Sequence, residues 1–189
     1  MLFPHLKPLL DSVAAVDGAF AEVGVWRGDT FEPLCRQAHA RGAACYGIDS
    51  FEGMANPTER DVLADGSNRW VKGELDTGGE AGERAVRERV QHLGDTPRIL
   101  RGWVPGVFRR IPASARFAFV HLDLDQYEPT LDAAWHFWPR MVRGSIIACH
   151  DYWPGCDRQA SGGFADFAAA WHQSIHELRE SQHGWVVKP

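Results

Sequence analysis

Several things are scarce in this chain, and each scarcity removes a class of protein. Four cysteines occur in 189 residues, Cys35, Cys45, Cys149 and Cys156, with no C-x-x-C pair and no regular spacing. A disulfide framework or a cysteine-ligated zinc ribbon is thereby excluded, and reduced thiols in a cytoplasmic setting are expected. Basic charge is in deficit: 20 Lys and Arg face 25 Asp and Glu, for a net charge of -5. No positive field therefore points to nucleic acid or to an anionic membrane as a partner. No apolar run approaches the roughly 20 residues that a membrane-crossing helix needs. Pro4, His5, Lys7 and Pro8 interrupt the first residues in a way that suits neither a signal peptide nor a span. Internal repeats are absent, and the composition does not shift along the chain, so a single domain over residues 1–189 is expected.

What remains is an alternation of short apolar runs with helix-like stretches. Strands are predicted at 19–25, 44–48, 98–100, 116–124 and 145–149, and helices at 28–40, 82–92, 129–141 and 164–171. This order predicts an α/β fold: a Rossmann-like, mainly parallel seven-stranded sheet with helices on both faces. Two last strands, 175–179 and 185–188, are separated by Gln182-His183-Gly184, which predicts a C-terminal hairpin and an antiparallel final strand. Residues 53–80, rich in Gly, Asp, Asn, Pro and Thr, read as a long, partly mobile loop.

Two places concentrate polar chemistry at predicted strand ends. The first is Glu22-x-Gly24-x-x-x-Gly28, where Gly24 permits a sharp turn and the following helix start offers free N–H groups. Its spacing differs from G-x-G-x-x-G, and Val25, Trp26 and Arg27 are bulky for a pyrophosphate cradle, which favours a ligand without phosphates. Asp49 ends the next strand, where α/β folds commonly place a carboxylate for ribose hydroxyls. The second place is Asp123-x-Asp125 after the fourth strand, with His150-Asp151 after the fifth. Three carboxylates and an imidazole converging there would repel unless a cation joined them. Magnesium prefers oxygen, so Asp123 and Asp151 are better ligands for it than His150. Alternation turns Cys149 away from His150, against zinc through that sulfur, and His121 reads as a core histidine.

Four ordered blocks, Glu22-Val-Gly-Val-Trp-Arg-Gly28, Tyr46-Gly-Ile-Asp-Ser-Phe-Glu-Gly-Met54, His121-Leu-Asp-Leu-Asp-Gln-Tyr127 with Pro129-Thr130, and Pro139 to Tyr152, resemble the macrocin O-methyltransferase family of class I S-adenosylmethionine-dependent enzymes. The resemblance implies methylation of a sugar hydroxyl on a macrolide or other glycosylated natural product, with S-adenosylmethionine and a divalent cation, usually magnesium. It implies a cofactor site of Glu22, Gly24, Val25, Trp26, Gly28, Thr30, Asp49, Ser50, Phe51 and Asp123. It further implies metal held by Asp123 and the residues after strand five, with Asp125 as general base. His150 stands where the family has a second aspartate: it could ligate, favouring a softer ion, serve as a base, or mark a weakened site. With strand one near residue 19, the loop from Met54 to Glu80 with Trp70, together with Trp153, is the expected acceptor cover. Trp135, Phe137 and Trp138 read either as core or as a homodimer face. The competing readings are a phenol or catechol methyltransferase, a nucleotide-binding protein without transfer chemistry, and an iron-binding hydroxylase on the same fold.

Overall fold

The computed structural model describes residues 3–67 and 70–189. Seven strands form one sheet: β1 (Ala19–Val23), β2 (Cys45–Asp49), β3 (Pro97–Arg101), β4 (Phe117–Leu122), β5 (Met141–Cys149), β6 (His176–Leu178) and β7 (His183–Val187). Their spatial order is β3-β2-β1-β4-β5-β7-β6. The first five run parallel, and β7 pairs antiparallel with both β5 and β6. The expected α/β sheet and its C-terminal hairpin are therefore present, with β7 inserted between β5 and β6.

Strand β4 (FAFVHL) is buried at every position, as a central parallel strand covered on both faces must be. Its alternating side chains feed two cores. On one face Val120 and Leu122 join Ala21, Val23 and Ile48 under α4 (Tyr127–Phe137) and α5 (Gln159–Ala170), with Phe137, Phe164 and Phe167 as the large fillers. On the other, Phe119 joins Phe20 and Ile146 under α2 (Phe31–His39) and α3 (Glu80–Val90). That second core also receives an element absent from the sequence reading, α1 (Phe3–Ser12), which buries Leu6, Leu9 and Leu10, with Val13 just beyond it. It packs under the sheet and does not line the cavity described below.

Boundaries shift where polar side chains complete an element. Helix α4 begins at Tyr127, two residues before Pro129, and gives way to a 3-10 turn at Trp138–Arg140, so that β5 starts at Met141 and not at Ser145. Helix α5 starts at Gln159 and not at Phe164, because Gly162 and Gly163 lie tight against Asp157 and Tyr127. Phe137 and Trp138 are core residues at 0% and 1% exposure, which removes them from any homodimer face; Trp135 is exposed at 44% and packs beside Trp171. The long loop is partly ordered by a 3-10 turn, Glu59–Asp61, closed by a Thr58/Asp61 capping box. Among the described residues no helix is long and apolar enough to cross a membrane.

Candidate active site

The parallel ladder continues one residue past the strands, and that extension builds the site. Gly24 N–H donates to Ile48 O (2.9 Å), Asp123 N–H to Val23 O (2.8 Å) and His150 N–H to Leu122 O (2.8 Å). Gly24, Asp123 and His150 are thereby aligned along the carboxyl edge, where open α/β sheets bind ligands. Gly24 has no alternative there, since a Cβ on it would lie 1.7 Å from the carbonyl oxygen of Asp123 and its φ is +92°. The next residues turn sharply: Trp26 (φ 48°), Phe51 (58°), Asp125 (61°) and Asp151 (55°) all occupy left-handed backbone after β1, β2, β4 and β5. Non-glycine residues held there cost about 1–3 kcal/mol each and cluster at functional sites. Asp125 is the centre of a three-residue turn, with Gln126 N–H donating to Leu124 O at 2.6 Å.

These edges enclose a cavity of about 440 Å³, within the usual size of a small-molecule site. Of the residues expected at a cofactor, Gly24, Trp26, Asp49, Ser50 and Asp123 line it, whereas Glu22, Val25, Gly28, Thr30 and Phe51 do not. Asp49 organises the floor: its Oδ2 accepts the Val25 and Trp26 N–H groups (both 2.7 Å) and its Oδ1 accepts Phe51 N–H (2.7 Å). The carboxylate thus fixes the β1 turn while keeping lone pairs on the cavity side. The loop supplies Met54, Ala55, Trp70 and Leu75 to the lining, and Trp103, unforeseen, enters from beyond the end of β3. Trp153 is 50% exposed and outside the cavity, its N–H bonded to Ser161 Oγ.

Asp123, Asp125, His150 and Asp151 all line the same space. His150 Nδ1 lies 2.9 Å from Asp123 Oδ1 and 3.7 Å from Asp151 Oδ1. Burial alone would raise the Asp123 pKa, but the His150 hydrogen bond and the nearby imidazoles outweigh it and hold the carboxyl below its ordinary value. Among the described residues no three acidic, imidazole or thiol side chains stand around one point as a ready-made cation site. The donor types nonetheless suit a divalent ion, with two carboxylates and one imidazole on one wall. Cys149 is fully buried and its Sγ donates to His150 O, away from the imidazole.

Glu22 has a different place from the one its motif suggests. It stands opposite His121 in the β1–β4 register and is 1% exposed. Its Oε1 lies 2.9 Å from His121 Nδ1; His121 Nε2 lies 3.2 Å from His183 Nε2, and His183 Nδ1 lies 2.9 Å from Ser181 Oγ. Burial, with Asp123 and Asp49 nearby, pushes the Glu22 carboxyl well above its ordinary value. Burial pushes His121 down to about 4 and His183 down to about 3. One proton order agrees with all three directions: neutral Glu22 donates to His121, His121 to His183, and His183 to Ser181. His183 was assigned to the hairpin turn from sequence; in fact it opens β7, and its ring centroid lies 5.0 Å from that of His150. The signal available for it was the unbroken His-Gly-Trp-Val-Val run.

The fold is the Rossmann-like one of class I methyltransferases, with a cavity at the carboxyl edge of its sheet. The profile described as Macrocin-O-methyltransferase (TylF) matches residues 3–173, and the chain belongs to that family. It is 32% identical over 159 residues to the 8-demethyl-8-(2,3-dimethoxy-alpha-L-rhamnosyl)-tetracenomycin-C 4'-O-methyltransferase of Streptomyces olivaceus, covering 78% of this chain and 59% of that one. It is 27% identical over 179 residues to the mycinamicin III 3''-O-methyltransferase of Micromonospora griseorubida, covering 89% of this chain and 63% of that one. The chain therefore spans about three-fifths of the length of these curated relatives. Among solved structures, the O-methyltransferase NovP superposes with a TM-score of 0.76 at 20% identity, covering 98% of this chain and 78% of that one. The calicheamicin methyltransferase CalS11 gives 0.76 at 18% identity, covering 98% and 77%.

Proposed function

We propose that this protein methylates a sugar hydroxyl, on a free or conjugated sugar, using S-adenosylmethionine. The observation that carries the reading is one cavity that joins the Gly24–Asp49 cradle to Asp123, Asp125, His150 and Asp151. The relative named for a rhamnosyl-tetracenomycin 4'-O-methylation supports the acceptor class, and the one named for mycinamicin III 3''-O-methylation supports transfer to oxygen.

The cradle fits the cofactor: Gly24 leaves backbone room, Asp49 presents carboxylate lone pairs, and Trp26 and Trp103 offer aromatic walls. When bound, the cofactor supplies an electrophilic sulfonium methyl. The protein's own work is orientation and proton removal. Asp125, held on its strained turn, accepts the proton of the acceptor hydroxyl as that oxygen attacks. His150 keeps Asp123 ionised beside it. Asp123 and Asp151, with His150 as a third donor, would hold a divalent cation, magnesium by their oxygen chemistry, and such an ion would lower the pKa of the hydroxyl. The loop wall at Met54 and Trp70 excludes water from the reacting oxygen. A homodimer, if formed, would use the face around Trp135, and light scattering measures it.

Labelled S-adenosylmethionine offered with rhamnosylated acceptors and, separately, with catechols should leave label on the sugars. Label on catechols alone would overturn the acceptor class, and absence of S-adenosylhomocysteine binding in calorimetry would overturn the cofactor. Transfer undiminished by excess chelator would remove the cation. Asp125→Asn should lower kcat by about 10²–10⁴-fold with S-adenosylhomocysteine affinity unchanged.

A further inference from the structure

The residue after Asp125 has no role in the chemistry above, yet it is more completely buried than Asp123, Asp125 or Asp151. Gln126 is 2% exposed, and its side-chain amide clips both sides of one backbone unit: Oε1 accepts Ala55 N–H (3.1 Å) and Nε2 donates to Ala55 O (3.1 Å). A side chain thus mimics a strand partner across 71 residues of sequence. One residue further, Tyr127 N–H at the start of α4 donates to Asp61 Oδ1 at 2.8 Å, while Asp61 Oδ2 accepts Thr58 N–H at 2.8 Å. Helix α4, whose own Gln126 makes no side-chain cap, is capped from the loop. Helix α5 joins the same knot, because Gln159 Nε2 donates to Asp61 O and Ala160 N–H donates to Asp125 O at 3.1 Å.

The clip reaches the cavity wall through main chain. Ala55 is next to Met54, whose N–H donates to Glu74 O (2.8 Å) and whose carbonyl accepts Gly73 N–H (3.0 Å). Met54 and Leu75 line the same cavity as the carboxylates. The backbone that bears Asp125 and the backbone that bears this lining are therefore one hydrogen-bonded unit.

We propose that Gln126 and Asp61 are positioning residues that set the acceptor side of the cavity relative to Asp125. Gln126 fixes the wall at Met54–Ala55 and 73–75, and Asp61 fixes the helix start that holds the Asp125 turn in its left-handed shape. Asp61 lies outside the cavity; Gln126 lines it, but both ends of its amide are taken by Ala55. The cofactor turn at Val25 and Trp26 hangs on Asp49 instead, whereas Phe51 also accepts the Thr77 and Gly79 N–H groups from the loop that the clip holds. This assignment rests on the methyltransferase reading for its kinetic consequence but not for its structural one.

The test uses the full chain and its variants Gln126→Leu, which keeps the volume and removes both bonds, and Gln126→Glu, which keeps only the acceptor. Hydrogen exchange is followed at backbone amides with S-adenosylhomocysteine present. Gln126→Leu should raise exchange at 54–55 and 73–74 by about tenfold or more, with Val25 and Trp26 unchanged, and Gln126→Glu should fall between. S-adenosylhomocysteine affinity should stay within about twofold, while KM for an acceptor from the panel above rises by about tenfold and kcat falls less. Unchanged exchange at 54–55, or a rise spread evenly over the sheet, overturns the proposal. So does an affinity for S-adenosylhomocysteine that falls in step with the acceptor KM. If no acceptor is methylated by the native protein, the functional reading fails, and the exchange pattern alone decides the clip.

Discussion

Replacing Asp49 by asparagine separates the two jobs assigned to that side chain. In the native site three N–H groups converge on its two oxygens at 2.7 Å each. An asparagine has one oxygen. Turned towards Val25 and Trp26, it keeps those two bonds as weaker neutral ones and sets its NH₂ against Phe51 N–H; turned the other way, it opposes two donors with one NH₂. The better orientation loses one charge-assisted bond, worth about 1.5–3 kcal/mol, and weakens two others. Partial exposure of Asp49 lets water relieve some of this, so a cost of about 2 kcal/mol is expected on the closed turn. At 1.4 kcal/mol per tenfold, affinity for S-adenosylhomocysteine should drop about 30-fold. Calorimetric titration reads the affinity, and urea midpoints at constant slope read the stability. An Asp49→Asn protein that binds within twofold of the native one and unfolds at the same urea concentration would refute the claim that this carboxylate holds the β1 turn.

Other outcomes follow from the same geometry. Gly24→Ala should abolish S-adenosylhomocysteine binding in the same titration, since a Cβ 1.7 Å from Asp123 O forces the β1 and β4 ends apart; retained binding would contradict that close approach. Glu22 carries a raised pKa, so its contribution is fully present at low pH and is lost as pH rises through its folded value. Glu22→Gln should therefore gain stability relative to the native protein between pH 5 and 8, and a difference that is flat with pH would overturn the neutral assignment. His121 and His183 act in the opposite sense, their contribution present above the unfolded pKa of about 6.5 and lost as pH falls towards about 4 and about 3. Urea midpoints of the Glu22→Gln protein should accordingly decline below pH 6.5, and a midpoint constant down to pH 4.5 would count against the buried pair.

The sheet was legible because strands such as Ala19–Val23 and Phe117–Leu122 are short, apolar and spaced by helices, and because a polar break between two short apolar runs marks the hairpin, although His183 and Gly184 already belong to β7. Helix α1 was missed since Pro4 and Pro8 argue against a helix, although Leu6, Leu9, Leu10 and Val13 carry the helical spacing. The carboxylates at 123, 125 and 151 were legible because topology alone sends the ends of β4 and β5 to one crevice. Glu22 was harder: a motif gives its distance from Gly24 but not which face of the strand it takes, and pairing with His121 turns it under the sheet. Gln126 and Asp61 carried no signal, because their partners lie 71 and 66 residues away.

Strand β7 enters the sheet against the direction of its neighbours, so that its first residues and not its last ones reach the carboxyl edge. Gln182 lines the cavity and His183 sits beneath His150. A ribosome making this protein therefore releases Gly24, Asp49 and Phe51 some 130 residues before His183. Until residue 183 has emerged, His121 has no imidazole beside its Nε2. The carboxyl edge of the sheet is thus drawn from both ends of the sequence, and its last imidazole is among the last parts made.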